Sequence, residues 1–518
     1  MSGTGMQGRN WVLAAMIFAV AMTFIDQTIV SIAVPNIQRE LSLSSTAVQW
    51  VVNGYLLALA AFFALGGRLS DIFGHTKLCV IGVIVFVGAS VMCGLTPTGS
   101  AAAAWIIGFR VVQGVGGALM FPAALAIVVN NFPLRDRGKA LALFFGIAGG
   151  LTAVGPILGG YLTEWTWRAI FWVNVPVALI ALVLIAVSKP KTQYQRAPID
   201  YLGAVLLAAG VALSIFGLQQ SELWGWSNPA TWICIIAGLL IVVLFGFVEL
   251  RTESPLIAIG IFKIRPFLVE NVVLFVTMMA FIPMFFFVSE YAQIALHKKA
   301  SEAGIFLLWF FLGFVVAAQI GGRRLDRVGA KRPVVLGAAI AAVGYGFWAA
   351  NVSSLSFSKQ QIWVIVAGAG MGMLIGPANT DAVNRASNLS YGEATGITQT
   401  VRNYGASLGL AALGTVLLFN FRDQLTNSLR HLGVPNAAAV ADKASQQAHG
   451  GTGANVGSIP HYVSADFAHS TSIVLYVMCG VVAFAGLVAL IGLESGRQEE
   501  PAFDVGEAEV RPEVTGAG

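Results

Sequence analysis

The sequence predicts an all-α integral membrane protein of fourteen transmembrane helices, arranged as two six-helix bundles with two helices inserted between them. Only 11% of the 518 residues are charged and 57% are hydrophobic, whereas soluble chains carry about 25% charged residues. Fourteen apolar runs reach the length of about 20 residues that a spanning helix requires. A Gly-rich, charged segment also occurs twice, at equivalent places in the two halves, which indicates an internal duplication.

The first copy of the repeated segment is Gly66–Lys77 and the second is Gly321–Arg332; we call them the two islands. Aligned without gaps, they are identical at five positions, and each separates the second apolar run of its half from the third. Short acids at helix ends can accept backbone N–H bonds and face the dipole of a neighbouring helix. We therefore expect the islands to latch the two bundles together through Gly67, Arg68, Asp71, Gly74, Asp326 and Arg327.

The apolar runs divide the chain into consecutive parts. An N-terminal bundle covers residues 1–188 and a C-terminal bundle covers 268–493, while linkers and the two inserted helices occupy 189–267. The acidic tail, 494–518, contains Pro and Gly and is expected to be disordered. The predicted runs are 11–35, 47–66, 78–95, 102–130, 138–163 and 168–188, then 200–220 and 230–250, and then 268–295, 301–321, 333–350, 361–385, 393–420 and 470–493.

Lysine and arginine are unevenly distributed over the connecting segments. With the N-terminus placed in the cytoplasm, the inside segments carry 19 of these residues and the outside segments carry 8. This distribution favours a cytoplasmic location for both termini. Because the net charge of +5 is gathered in these short segments, it gives little support to nucleic-acid binding. The four cysteines lie inside apolar runs, without the spacing of metal ligands, and are expected to be packing residues.

The long external segment 421–469 contains four histidines, which raises the question of a metal site. Their spacings are wide and irregular, and the segment is rich in Ala, Gly, Ser and Asn. We therefore expect a solvated, partly disordered loop and no metal.

Charged residues inside membrane helices are costly and usually functional. Asp26 lies about 13 Å from the outer end of the first predicted helix, and Arg110 about 12 Å from the outer end of the fourth, so the two side chains can pair. A carboxylate beside a guanidinium stays ionised, whereas one that loses this partner in an apolar setting binds a proton more readily. We expect Asp26 and Arg110 to couple protons to transport; the alternative is a fixed ion pair that only sets helix packing.

Small residues surround Arg110 and fill part of the fifth helix. Gln113, Gly114 and Gly117 share one helix face with Arg110 and leave its guanidinium room to bond to a neighbouring helix. In the fifth helix, small residues four positions apart favour close helix contact and a proline favours a bend, so dense packing and gating are both compatible with the pattern. The residues of this second group are Gly155, Pro156, Gly159 and Gly160.

The second half of the chain has its own candidate residues. Arg402 lies about 13 Å from the cytoplasmic end of the thirteenth predicted helix and can reach Asp381 by snorkelling, which favours a cytoplasmic latch over a substrate site. Glu290 is expected either to attract a cation or to face interfacial water. Aromatic side chains are candidates for an apolar cavity, although lipid-facing packing is the expected role of most. The candidate substrate-cavity residues are Gln113, Glu290, Phe281, Phe285, Trp309, Arg402 and Asp381.

Five segments, in order, resemble the motifs of the major facilitator superfamily, and of its fourteen-helix drug:proton antiporter branch in particular. They are Asp26–Pro35, Gly67–Lys77, Arg110–Gly117, Gly155–Gly160 and Trp167–Pro176, and the resemblance covers nearly the whole chain. The Gly155–Gly160 segment is the one that this family associates with export. Ser31 stands where the family usually has Asn, and Ile72, His75 and Thr76 replace residues that are commonly basic, which implies a weaker charge network in the first island.

The resemblance implies a proton-coupled secondary antiporter that exports amphipathic or lipophilic compounds, often cationic drugs, by alternating access. A proton from outside would bind Asp26, weaken its pairing with Arg110 and leave to the cytoplasm as the compound is exported. The resemblance also implies a multi-pass monomer in a bacterial plasma membrane, whose partners are protons, small lipophilic substrates and membrane lipids. No cofactor is expected.

Two other functions compete with this one. An exporter or flippase of lipids, lysolipids or an endogenous metabolite would have the same architecture. A membrane enzyme or receptor has less support, because the sequence shows no His/Asp/Glu cluster and no metal-ligand spacing. The islands also lack the Lys-Ser/Thr pair of a phosphate-binding loop and do not follow strands, so ATP is not the expected energy source.

Overall fold

The structure, a computed structural model, describes residues 6–43, 45–191, 200–252, 255–257, 259–298, 300–386, 391–449 and 460–496. Within these ranges every regular element is a helix. The predicted all-α membrane fold is therefore confirmed. The predicted disorder of the tail falls mostly on residues outside the described ones, which end at 496.

Thirteen stretches of the described chain are long and apolar enough to span a bilayer. Helix α5 has 32 residues, so it is also long enough to cross and completes the predicted fourteen. The helices are α1 (Met6–Leu41), α2 (Ser45–Phe73), α3 (His75–Gly94), α4 (Ala102–Asn131), α5 (Leu134–Trp165), α6 (Ala169–Trp172), α7 (Asn174–Ser188), α8 (Tyr201–Trp224), α9 (Pro229–Glu249), α10 (Arg265–Ile294), α11 (Ala300–Val328), α12 (Lys331–Val352), α13 (Phe357–Arg385), α14 (Tyr391–His431), α15 (Ala437–His449) and α16 (His461–Gly492).

The external segment 421–469 differs from its prediction. Helix α14 continues to His431, and α15 follows it and packs back against it. Leu425 and Leu429, one turn apart on α14, are buried in the same apolar cluster as Ala441 of α15, because their spacing gives α14 an apolar face for α15 to cover. The prediction of an irregular loop is therefore wrong for the described parts of this segment, whereas most of residues 430–440 are exposed as expected. Residues 450–459 lie outside the described ones.

The two bundles meet at the end of the molecule that carries the islands, which we call the island end. A Cβ atom on Gly396 of α14 would lie only 2.9 Å from the Cα atom of Ala64 in α2. Val383, near the end of α13, belongs to an apolar core formed otherwise by residues of the N-terminal bundle. Gly146 of α5 also faces Val315 of α11. The bundles are thus closed against each other at the island end.

The inserted helices α8 and α9 form a pair that packs beside the bundles. Each begins at a side-chain cap: Asp200 accepts a hydrogen bond from the Gly203 amide (2.9 Å), and Asn228 accepts one from Ala230 (3.0 Å). Helix α8 contacts both α2 and α14. It shares an apolar cluster with residues of the two bundles, so the insertion covers the seam between them.

The islands occupy the last turns of α2 and α11, followed by a glycine and the next helix. The equivalent glycines Gly74 and Gly329 have φ angles of +92° and +82°, a region that side chains other than glycine rarely adopt. Asp71 and Asp326 lie in the final helical turns, because α2 and α11 extend beyond the predicted apolar runs 47–66 and 301–321. The duplication therefore extends to backbone conformation.

Candidate functional site

Asp26 of α1 and Arg110 of α4 form an ion pair inside the N-terminal bundle. Arg110 Nη1 lies 2.5 Å from Asp26 Oδ2, and the two residues are 1% and 0% exposed. The predicted pairing is therefore present, and its role in proton coupling stays a prediction. Helix α1 continues to Leu41, so Asp26 lies about 22 Å along the axis from the outer end of the helix, deeper than the apolar run suggested.

Gln113 links this pair to a chain of polar side chains. Its Oε1 atom accepts a hydrogen bond from Arg110 Nη1 (2.7 Å), and its Nε2 atom donates to Asp26 Oδ1 (2.9 Å) and to Ser90 Oγ (3.3 Å). Ser90 Oγ also accepts a hydrogen bond from Asn174 Nδ2 (2.9 Å). Both carboxylate oxygens of Asp26 are thus bonded, and helices α1, α3, α4 and α7 meet at one buried polar cluster.

The guanidinium of Arg110 has contacts that do not depend on Asp26. Its Nε atom donates to the Val51 carbonyl (2.8 Å), and its central carbon lies 4.3 Å from the centre of the Tyr55 ring, an arrangement that favours a cation. Tyr55 in turn donates to the Thr23 carbonyl (3.3 Å). A proton on Asp26 would remove one partner of Arg110 and leave it held by α2.

Sequence reasoning missed Ser90, Asn174 and Tyr55. Each is a single polar residue in an otherwise apolar run. Such a pattern does not indicate which neighbouring helix the side chain faces. Asn174 alone had a stronger signal, because it belongs to the Trp167–Pro176 segment. Two other residues of that segment lie at the outer end, where Trp167 and Arg168 donate to Glu40 (2.7 and 2.6 Å) and hold the end of α1.

Helix α5 packs against α1 immediately beside Asp26. A Cβ atom on Gly155 would overlap Thr28 Oγ1 and would lie 3.0 Å from the Ile25 carbonyl oxygen. Helix α5 is continuous through position 156, whereas the side chain of Pro156 lies outside the described ones. Gly159 is buried and Gly160 is half-buried in the next turn. Gly155 thus allows α5 to approach α1 closely at Ile25 and Thr28, on either side of Asp26 in the sequence.

Gly155→Ala should therefore lower the free energy of unfolding by about 1–3 kcal/mol, because the added methyl group has no space against α1. The matched control is Gly146→Ala on the same helix. There a Cβ atom would meet Val315 at 3.8 Å, which is ordinary contact, and alanine favours the helix by up to about 1 kcal/mol. Thermal unfolding of both variants in detergent measures the difference. Equal effects at the two positions would contradict the close contact.

The acidic residues of the C-terminal bundle form a second buried cluster. Asp381 of α13 is 1% exposed, and its Oδ2 atom accepts a hydrogen bond from Arg385 Nε (2.8 Å). Arg385 also reaches Glu494 (3.5 Å). Glu270 of α10, 0% exposed, lies beside Asp381, and the candidate residues of the sequence did not include it.

Arg402 does not pair with Asp381, so that prediction is wrong. Arg385 lies one turn from Asp381 on the same helix and binds it, whereas Arg402 donates to Asn379 Oδ1 (3.3 Å) and to Gln399 Oε1 (3.1 Å). Arg402 is 9% exposed. Both bundles therefore bury an arginine, but Arg110 has a carboxylate partner, whereas Arg402 bonds to two amide oxygens.

The remaining candidates lie apart from these clusters. Phe281 and Phe285 of α10 are buried against α11, where the rings of Phe285 and Phe311 stack with centroids 5.2 Å apart. Trp309 is partly buried at the edge of the same core. Glu290 is half-buried near the outer end of α10. In the described structure the three aromatic residues pack in or at the edge of the bundle core, and Glu290 lies near the outer end of α10. None of the four lines the cavity between the bundles that is described below.

The islands contact their own bundles in equivalent ways. A Cβ atom on Gly66 would lie 3.2 Å from the Leu119 Cα atom of α4, and one on Gly321 would lie 3.1 Å from the Met373 carbonyl oxygen of α13. Asp71 is buried, and its Oδ1 atom lies 3.7 Å from His75 Nδ1. Arg68 and Asp326 are half-buried, and Arg327 is exposed.

A small cavity of about 80 Å³ lies between the bundles. Helices α1, α2, α8, α10 and α14 line it, and Gln27, the neighbour of Asp26, faces it. Asn403 and Ala406 line it from the other side, next to Arg402 and one turn from it. The cavity lining thus includes the sequence neighbours of Asp26 and Arg402, and neither charged residue itself. Among the described residues, no three His, Cys, Asp or Glu side chains lie close enough to hold a metal ion.

The family model of the Major Facilitator Superfamily matches residues 16–410 of this chain. The chain belongs to the major facilitator superfamily. Because members of this superfamily are transporters, this protein is a multi-pass membrane transporter rather than an enzyme.

Relatives within the major facilitator superfamily cover most of the chain. It is 33% identical over 501 residues to the tetracenomycin C resistance and export protein of Streptomyces glaucescens, covering 94% of this chain and 92% of that protein. It is 31% identical over 418 residues to the puromycin resistance protein of Streptomyces alboniger, covering 79% and 82%. The solved structure of the proton:xylose symporter XylE matches with a TM-score of 0.62 at 14% identity, covering 95% and 97% of the two chains, which shows a common fold.

Proposed function

We propose that this transporter exports amphipathic compounds, including antibiotics, in exchange for protons. The observation that carries the proposal is the buried pair of Asp26 and Arg110, which a proton would neutralise, at a point where α1 is in close contact with Gly155 of α5. Intramembrane acids of this kind usually mark proton or ion pathways. The names of the relatives, which are resistance and export proteins, support the export direction.

We place the island end in the cytoplasm of a bacterial cell, with both termini inside, on the distribution of Lys and Arg. In this orientation the structure is closed toward the cytoplasm, because the bundles touch at Gly396 and Ala64. Protons then have access from the outside only. The opposite state requires the contacts between α2 and α14 to separate.

The coupling step follows from the contacts of Asp26. A proton entering from outside neutralises the carboxylate and removes its attraction to Arg110, while Val51 and Tyr55 continue to hold the guanidinium on α2. Helix α1 then loses its charged link to α4 but keeps its contact with α5. A shift of α1 moves Gln27, which faces the central cavity. Proton binding and substrate binding are thereby linked through one helix.

The test is transport by the purified protein in lipid vesicles with an imposed pH gradient. Cationic dyes, neutral and acidic antibiotics, and fluorescently labelled lysolipid are supplied as separate substrates. We expect movement of a drug-like compound that requires the gradient, stops with an uncoupler and does not require ATP. Transport that persists after the gradient has collapsed, or that requires ATP, would refute the proposal. Movement of the lysolipid alone would assign the cargo to lipids.

Asp71→Ala should slow transport several-fold while leaving the affinity for substrate unchanged, because the first island lies at the closed end and away from the cavity. The matched control is Asp442→Ala, which removes a half-exposed acid at the other end of the molecule. Initial rates in vesicles and equilibrium binding in detergent separate the two effects. Loss of binding by a folded Asp71→Ala protein would contradict the proposed latch.

A further inference from the structure

Arg402 is a buried cation without a carboxylate partner in the described part of the chain. Its Nη1 atom bonds to two neutral amide oxygens, those of Asn379 and Gln399. Its Nη2 atom contacts only the sulfur of Met278, at 3.9 Å, and its Nε atom has no acceptor. The ring of Phe145 lies 5.6 Å away. Buried charges are normally paired, so this arrangement lacks its anion.

The groups around Arg402 also have unused donors. Asn379 and Gln399, 0% and 4% exposed, both turn their amide oxygens toward the guanidinium. Their NH₂ groups, Nδ2 and Nε2, have no acceptor in the described ranges of the chain. A reversal of either amide would set a donor against a donor, so the positive charge of Arg402 fixes this orientation. Three unused donor groups thus meet in one buried place.

Hydroxyl groups extend this donor surface. Thr395, Thr398, Gln399 and Arg402 follow the spacing i, i+3, i+4 and i+7, which places them on one face of α14. The two threonine hydroxyls are buried and have no partner among the described residues, and the same holds for Thr277 of α10, the neighbour of Met278. Hydroxyl groups can donate to an anion. The surface therefore suits negatively charged oxygen atoms.

We propose that Arg402, Asn379 and Gln399 bind an anionic oxygen group, a carboxylate or an ionised phenol or enol, on the compound that the protein exports. Nε, which has no acceptor among the described residues, and Nη2, which contacts only the weak acceptor sulfur of Met278, form one edge of the guanidinium. This is the edge that binds a carboxylate through two parallel hydrogen bonds. Asn379 and Gln399 donate from the side. This inference rests on the proposed export function and names the chemistry of its substrate.

Arg402 lies on α14 close in sequence to residues that line the central cavity. Asn403 and Ala406 line the central cavity from the same helix, the first next to Arg402 and the second one turn beyond it. The cavity is also lined by apolar side chains, among them Leu56, Leu218 and Ile282, which suit the apolar part of an amphipathic molecule. An acidic compound would lie with its charge at Arg402 and its apolar body toward this cavity, which must widen from about 80 Å³ to hold it.

The test is equilibrium binding to the purified protein with two probes, a dansyl-labelled medium-chain fatty acid and its methyl ester. The ester lacks the negative charge of the acid. We expect the acid to bind at least about tenfold more tightly than the ester, since hydrogen bonds to charged groups are the stronger ones. Arg402→Gln should remove this preference. Arg422→Gln, which changes a half-exposed arginine on the same helix, should retain it.

Two further measurements address protein folding and lipid binding. If Arg402→Gln does not fold, Gln399→Leu keeps the cation and removes one donor, and the preference for the acid should fall without disappearing. Phosphatidic acid, added as a competitor, tests whether the anion is a lipid headgroup. The proposal would be overturned if acid and ester bound the wild type equally, or if folded Arg402→Gln kept the preference for the acid. It would also be overturned if phosphatidic acid displaced the labelled acid and no other anionic compound did.

Binding requires no gradient, so this experiment is independent of proton coupling. If the vesicles show no proton-driven export but the acid still binds through Arg402, the proposed function fails and the anion site stands. If export is proton-driven but acid and ester bind alike, the anion site fails alone.

Discussion

Asp26→Asn should give a folded protein that no longer exports its substrate when driven by a pH gradient. Asparagine keeps the volume of the side chain and an oxygen acceptor for Arg110, but it cannot bind and release a proton at physiological pH. The other contacts of Arg110, to Val51 and Tyr55, are unaffected. The expected loss is complete for gradient-driven transport, while substrate binding in detergent is retained.

The measurement compares Asp26→Asn with Asp442→Asn in vesicles with and without a pH gradient. Asp442 is 40% exposed and pairs with Arg422 at the other end of the molecule, so its neutralisation should change nothing. Exchange of labelled for unlabelled substrate without a gradient should persist in Asp26→Asn, because that reaction needs no net proton movement. Normal pumping by Asp26→Asn would show that the proton is carried elsewhere.

Arg110→Gln should lower the free energy of unfolding by about 3–5 kcal/mol, because Asp26 would stay buried without its cation. Arg110 is 1% exposed and Asp26 is 0% exposed, so water cannot replace the lost partner. The same change at Arg422, whose ion pair is about half exposed, should cost less than about 1 kcal/mol. Thermal unfolding of the two variants, at one pH and in one detergent, measures the difference.

The double variant Asp26→Asn/Arg110→Gln separates charge from packing. With both charges removed, no uncompensated ion remains, and the protein should regain much of the stability that Arg110→Gln loses. A double variant that is as unstable as the sum of the two single variants would mean that the guanidinium acts mainly through its contacts with Val51 and Tyr55.

The sequence indicated which charges could meet, because few charges lie inside the apolar runs and residue number maps onto distance along a helix. This reasoning sufficed for Asp26 and Arg110, although Asp26 lies about 22 Å and not about 13 Å from the outer end of its helix. It did not suffice for Arg402 and Asp381. Asp381 pairs with Arg385, which lies one turn away on the same helix, whereas Arg402 faces the amide oxygens of two other side chains. The direction in which a side chain points depends on how the helix is rotated in its bundle.

Three properties follow from the amino-acid sequence alone: the chain spans a membrane, its helices fall in a six-two-six order, and its halves are duplicated. Composition, the length of apolar runs and repeated motifs carry that information, because lipid requires every exposed backbone group to be bonded within a helix. Which polar groups meet depends on the tertiary structure. The partners of Gln113, the contact of Gly155 with α1 and the lack of a carboxylate beside Arg402 among the described residues depend on helix rotation and on separations of a few ångströms. Both arise from the packing of all the helices together.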